Sequence, residues 1–305
     1  MVTGQAFRHQ ARFYAGDAEF VAGALGFIRE GLALGEPVMV ALPLRKIEWL
    51  ESALNGDGGR VIFRDMDELG ANPAHIIPAW QRFLDDHARA DGIRGIGEPI
   101  GPDRVGADLV EVHIHEALIN SAFASADGFL LECPYDELAL APSVITTAKR
   151  THPHHGPGAD CAVFAPPDTL GWDVLSPPAA DATTLDFGEW DLHEVRSVVA
   201  TAARYAGLSE PACGDLVLAA NELATNTLRH GSRSGTLRVW QESANLCCQV
   251  DDAGRIGDPM VGRIQPRLGR PGGRGLWLAN RVCDLVQIRS TDHGTTVRLH
   301  VTVST

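Results

Sequence analysis

Asn221-Glu222-Leu223-Ala224-Thr225-Asn226-Thr227-Leu228-Arg229-His230-Gly231 reads as the end of a long helix, predicted over about 209–230 and stopped by its glycine. On a helix, side chains four residues apart share a face, so Glu222 lies beside Asn226 and Asn226 beside His230. A carboxylate and an amide oxygen are thereby stacked over one place. Downstream, strand-like runs cover 235–241 and 245–251, and the second leads into Val250-Asp251-Asp252-Ala253-Gly254, acids at a strand end followed by a turn glycine. Gly272-Gly273-Arg274-Gly275-Leu276 opens a short helix at about 274–283. Glycines there let a backbone approach phosphates, and the helix start offers oriented N–H donors. Strands at 284–290 and 295–303 follow, the last entered through Gly294-Thr295-Thr296-Val297. With a further helix at about 192–206, the order is α+β.

The whole chain has 305 residues, 45% hydrophobic and 21% charged, which suits two globular domains each with its own core. Its formal charge is −13, unevenly placed: residues 1–150 hold 22 acids and 13 bases, 151–200 hold 8 and 1, and 201–305 hold 9 and 12. The one basic cluster of the last third is the scattered Arg255, Arg263, Arg267, Arg270 and Arg274, too sparse for a nucleic-acid surface. No apolar run reaches the roughly 18–20 residues of a membrane span, and Arg8, His9 and Arg12 interrupt the N-terminus where a signal core would lie. A cytoplasmic location is expected. Cysteines 133, 161, 213, 247, 248 and 283 form no C-x-x-C pair and read as reduced core thiols.

Ahead of the α+β region, apolar runs at Val38–Leu42, Val61–Phe63 and Phe129–Leu131 alternate with helical patterns at Phe20–Leu32 and Asn72–His87. That alternation predicts an α/β domain with a mainly parallel sheet over 1–165. Pro166-Pro167 and Pro177-Pro178 mark a Pro/Gly-rich linker at 166–189, and 190–305 form the second domain.

Taken together and in order, the motifs of residues 190–303 resemble the GHKL ATPase family of histidine kinases, gyrase-type ATPases and anti-sigma-factor serine kinases. The resemblance implies the α+β Bergerat fold with bound Mg²⁺ and ATP. It makes Asn226 the Mg²⁺ ligand and Glu222 the base that polarises the attacking hydroxyl or water, roles that a hard oxygen donor and a carboxylate suit. Asp252, spaced from Gly254 as in the family, accepts from the adenine amino group, with Asp251 the spare; the family's second glycine falls at Ile256. Gly273, Arg274 and Gly275 cradle phosphate, the loop from Arg255 to Gly272 is the ATP lid, and Thr296 stands near adenine with Thr295 close behind.

Within that family a histidine kinase needs a phosphoacceptor on a two-helix hairpin, and His193 lies only 29 residues before Glu222, room for a single extra helix. Gyrase-type members carry a transducer domain after the ATP site, where this chain ends at Thr305. The anti-sigma-factor kinase type remains, implying phosphorylation of Ser or Thr on a small STAS-type antagonist and control of a sigma factor. A non-catalytic, ATP-dependent partner-binding module is the alternative, with a sensor histidine kinase behind it. A homodimer is compatible with the sequence.

The first domain resembles the MEDS sensory family through His9–Tyr14, Phe27–Leu32 with Gly35-Glu36-Pro37-Val38, Arg94–Pro99, His115–Asn120, Cys133-Pro134-Tyr135-Asp136 and Thr151-His152-Pro153. Gly31–Val38 is also reminiscent of RecA-like ATPases, yet no G-x-x-x-x-G-K-[ST] loop is present to hold phosphate. An α/β sheet gathers ligand-binding groups at its carboxyl edge, and His9, Glu98, Glu116, Cys133, Tyr135, Asp136 and His152 are the candidates there. They allow a small-molecule pocket, a metal or haem site drawing on His113, His115, Cys133 or the His152, His154, His155 group, or plain buried hydrogen bonding.

Overall fold

The computed structural model describes residues 6–156, 160–165, 174–266 and 273–303. Contacts divide the chain into two compact units, Met1–Leu170 and Gly171–Thr305.

The first unit runs β1 (Arg8–Tyr14), α1 (Asp17–Leu34), β2 (Val38–Leu42), α2 (Leu44–Leu54), β3 (Val61–Asp65), α3 (Met66–Leu69), α4 (Ile76–Asp86), β4 (Ile93–Gly97), α5 (Gly106–Ala122), β5 (Phe129–Asp136), α6 (Pro142–Thr151) and β6 (His154–His155). The strands form one sheet in the order β3-β2-β4-β5-β1-β6, every pairing parallel. All five residues of β2 are buried, as a parallel strand covered on both faces requires. Phe20, Ala24, Phe27, Ile28 and Leu32 form the buried stripe of α1 and join Val38, Val40 and Leu42 in one core. The helix stops at Gly35, whose left-handed φ of 76° lets the next amide, of Glu36, reach the carbonyl of Gly31 at 2.9 Å. The expected helix over Asn72–His87 instead starts with a 3-10 turn at Pro73–His75, because the Asn72 side chain accepts from the Ala74 amide and caps that turn first.

The second unit runs β7 (Thr183–Phe187), α7 (Leu192–Tyr205), α8 (Glu210–His230), β8 (Gly235–Glu242), β9 (Asn245–Asp252), α9 (Arg274–Val282), β10 (Leu285–Thr291) and β11 (Gly294–Thr302). Its antiparallel sheet has the order β10-β11-β9-β8-β7, and Leu237, Val239, Cys248, Val250, Val297 and Leu299 form a core with Val195, Val199, Leu216, Ala220, Leu223 and Leu276 of the helices. Ser209 caps α8, its hydroxyl accepting from the Ala212 amide, and Pro211 sits in the first turn where its missing N–H costs nothing.

One boundary differs from the sequence reading. Thr183–Phe187, inside the expected 166–189 linker, is an edge strand paired with β8, and Ser176 holds the Arg298 guanidinium through its hydroxyl and carbonyl. An edge strand bonds on one side and buries little, here Phe187 alone, so its sequence carries no full alternation. Pro166 and Pro167 lie outside the described residues.

Candidate functional site

The polar face of α8 meets the start of α9. A Cβ added at Gly275 would come within 2.9 Å of Asn226 Nδ2 and 3.0 Å of Glu222 Oε2, so the first turn of α9 closes directly over these two groups. Beside them lies a cleft of about 290 Å³ lined by Asn226, Thr227 and His230 of α8, Asp252, Gly254, Arg255 and Ile256 after β9, Gly273 and Leu276 of the α9 start, and Thr295 and Val297 of β11. Val250, Val261 and Leu223 complete apolar walls around a single carboxylate. A partly apolar slot with one carboxylate acceptor suits a flat heteroaromatic base that donates an N–H.

Both oxygens of that carboxylate are held. Thr227 donates its hydroxyl to Asp252 Oδ2 at 2.7 Å, and the Gly254 amide donates to Oδ1 at 2.6 Å. Thr227 is a positioning residue that the motif reading passed over, although it follows Asn226 directly. Ile256, where the family's second glycine was expected, contributes side chain to the cleft wall.

The register of β9 and β11 corrects one assignment. Thr295 stands opposite Asp252 and Thr296 opposite Asp251, so each pair shares one face of the sheet. Thr295 lines the cleft and donates to the Gly254 carbonyl at 2.9 Å. Thr296 faces the other way and donates to Asp251 Oδ1 at 2.6 Å, where Arg238 pairs with the same carboxylate. Thr295, not Thr296, therefore shares the cleft with Asp252, and Asp251 lies on the opposite face of the sheet. Among the loop arginines, Arg255 lines the cleft while its guanidinium pairs with Asp292 at 2.6 Å; Arg274 is exposed on α9. Gly272, Arg267 and Arg270 lie outside the described residues.

In the first unit the expected carboxyl-edge group separates into two. Glu98 follows β4 and Asp136 ends β5, both at that edge. Lys46 Nζ bridges the two Glu98 oxygens at 2.5 and 2.7 Å and also reaches the Tyr14 hydroxyl, while Asp136 accepts from the Leu138 amide at 2.9 Å and caps a turn. Burial raises the Glu98 pKa against the opposing pull of Lys46. The rest lies deeper, between the sheet and its helices. His9, Glu116, Cys133 and His152 are 0–1% exposed, and Tyr135 donates to Glu116 Oε2 at 3.3 Å. Burial lowers the His9 pKa to about 4 and pushes the Cys133 thiol well above its usual range. His154 turns instead to Asp160 and His155 to the Lys149 carbonyl, so the expected triple-histidine group does not assemble. Among the described residues His113 and His115 are likewise outside the one group of clustered metal-ligand atoms.

The two folds and the glycine-covered cleft define a two-domain protein whose second domain has the form of a nucleotide-binding ATPase. Residues 8–153 match the MEDS family, described as the methanogen/methylotroph DcmR sensory domain, and residues 189–301 match the histidine kinase-like ATPase domain; the chain is a MEDS domain followed by an ATPase domain of that family. No curated protein matches it. The crystal structure of the RsbU and RsbW domains of Rv1364c from Mycobacterium tuberculosis is similar at 18% identity and a TM-score of 0.31, over 40% of this chain and 33% of that one. Among the described residues no helix is long and apolar enough to cross a membrane.

Proposed function

We propose that this chain is a signal-responsive regulator of the anti-sigma-factor type, which binds Mg²⁺ and ATP in its second domain and phosphorylates Ser or Thr of a partner antagonist protein. The observation that supports it best is the convergence of Glu222 and Asn226 on the start of α9, beside a cleft with Asp252 on its wall. Asn226 would hold Mg²⁺, Asp252 the adenine amino group, and the Gly273–Gly275 turn the phosphates. Bound ATP would supply the transferable phosphoryl group. Glu222, one helical turn from Asn226, then takes the proton from the incoming hydroxyl, and Thr227 keeps Asp252 oriented.

His193 supports this branch over the histidine kinase. It sits on the first turn of α7, inside the ATPase domain, and α7 packs on the same α8 that carries Glu222. The test is incubation of the full chain with labelled ATP, Mg²⁺ and STAS-type antagonists from its own genome. An acid-stable phosphoester on the partner is expected. Acid-labile phosphohistidine at His193 that vanishes in His193→Ala would restore the histidine kinase, and ATP-strengthened partner binding without label would favour the non-catalytic module.

A further inference from the structure

His9 on β1, Cys133 on β5, Glu116 on α5 and His152 just beyond α6 are distant in sequence, yet one ligand-type atom from each lies within 4.8 Å of all the others. His9 Nε2 is 3.3 Å from Cys133 Sγ and 3.5 Å from Glu116 Oε2, and His152 Nε2 is 2.9 Å from Glu116 Oε2. Four ligands bound at about 2.0–2.3 Å in a tetrahedron are separated by about 3.3–3.6 Å, so this spacing is already near that of a coordination shell.

The surrounding hydrogen bonds occupy the Nδ1 atom of each ring. Asn120 donates its amide N–H groups to the carbonyls of Thr151, at 2.8 Å, and Ala117, which leaves its Oδ1 to accept from His9 Nδ1 at 3.1 Å. His152 Nδ1 donates to the Ala148 carbonyl at 2.8 Å. Each ring thus turns its Nε2 toward Glu116; His9 Nε2 also meets the Cys133 thiol at 3.3 Å, whereas Glu116 Oε1 and His152 Nε2 are buried with no hydrogen-bond partner. Lone pairs converging in a dry interior call for a cation between them. A carbonyl or amide oxygen behind each ring is also the usual way in which a metal-ligating histidine is held.

We propose that His9, Glu116, Cys133 and His152 form a tetrahedral site for a divalent transition metal, with Zn²⁺ the ion that this nitrogen, oxygen and sulfur set suits. Binding breaks the Cys133 S–H bond, forms the metal–sulfur bond and releases the proton to solvent. A thiolate, a carboxylate and two neutral imidazoles balance the +2 charge, which makes the filled site neutral in its apolar surroundings. Four protein ligands close the shell, so the site is structural and ties β1 and β5 to α5 and the end of α6.

The experiment titrates the full chain, stripped by chelator, with Co²⁺ and then Zn²⁺. One equivalent should produce tetrahedral Co²⁺ bands and a thiolate-to-cobalt charge-transfer band, both bleached by Zn²⁺; a metal held at Asn226 has no thiolate and would produce no such band. Cys133→Ser should remove the charge-transfer band, and Asn120→Ala, which keeps all four ligands, should weaken Co²⁺ binding about 10-fold. A folded wild-type chain without the band at excess Co²⁺, or a band that survives Cys133→Ser, would overturn the site. Should Cys133→Ser fail to fold, unchanged affinity in Asn120→Ala overturns it equally.

Discussion

Asp252 and Asp251 are neighbours in sequence with opposite surroundings. One is held by Thr227 and the Gly254 amide in the cleft, the other by Arg238 and Thr296 across the sheet. Asp252→Asn should therefore weaken ATP binding about 10-fold or more in calorimetry, since an amide cannot accept as two charged oxygens do, while Thr296→Val should stay within about 2-fold. Equal losses in the two variants would put adenine on the wrong face. Glu222→Gln should leave ATP affinity unchanged and lower phosphotransfer by about 10², because only proton acceptance is removed; a mutant that transfers at the wild-type rate would exclude Glu222 as the base. That Glu222 and Asn226 share a face of α8 and that Asp252 ends β9 was legible from helical period and strand end. The choice between Thr295 and Thr296 was not, because a one-residue change in register moves a side chain to the other face.

Elements of the second domain bury polar as well as apolar side chains. On β11, His300 bonds Gln287 and Cys247, and its pKa is lowered from 6.5 to about 4, by burial first and the Arg298 charge second, against a smaller opposing pull from Glu242. The unfolded chain takes up this proton before the folded one. Stability from neutral His300 is thus complete above about pH 6.5 and is lost as the pH falls toward 4, by at most about 3 kcal/mol. Denaturant titrations across that window should show a shallower pH slope for His300→Gln than for wild type, and parallel slopes would assign the acid sensitivity elsewhere. In this domain, α7, α8, α9 and strands β8 to β11 were readable from periodicity to within a residue or two. Strand β7 was missed because an edge element with one buried side chain has almost no pattern to read.

For the molecule as a whole, the two domains make different claims on nucleotide. The MEDS domain has the layered sheet of a nucleotide-binding fold but lacks the glycine-lysine loop that would grip phosphate. Calorimetry on the full chain should return one ATP per chain, and Asn226→Ala should abolish the signal; residual stoichiometric binding in that variant would place a second site in the MEDS domain.

From the sequence alone came the two domains, their fold classes and the helix, strand-end and glycine motifs that line the cleft of the second domain, because those signals are local: period, spacing and turn chemistry are written in consecutive residues. Tertiary structure decided what depends on pairing across the chain. It set which threonine faces Asp252, put Arg255 rather than Arg274 on the cleft wall, and drew the second domain's first strand out of the expected linker. It also separated Glu98 and Asp136 from His9, Glu116, Cys133 and His152. Positions 9, 116, 133 and 152 share no period; parallel pairing of β1 with β5 and the packing of α5 and α6 on that sheet bring their atoms within 4.8 Å.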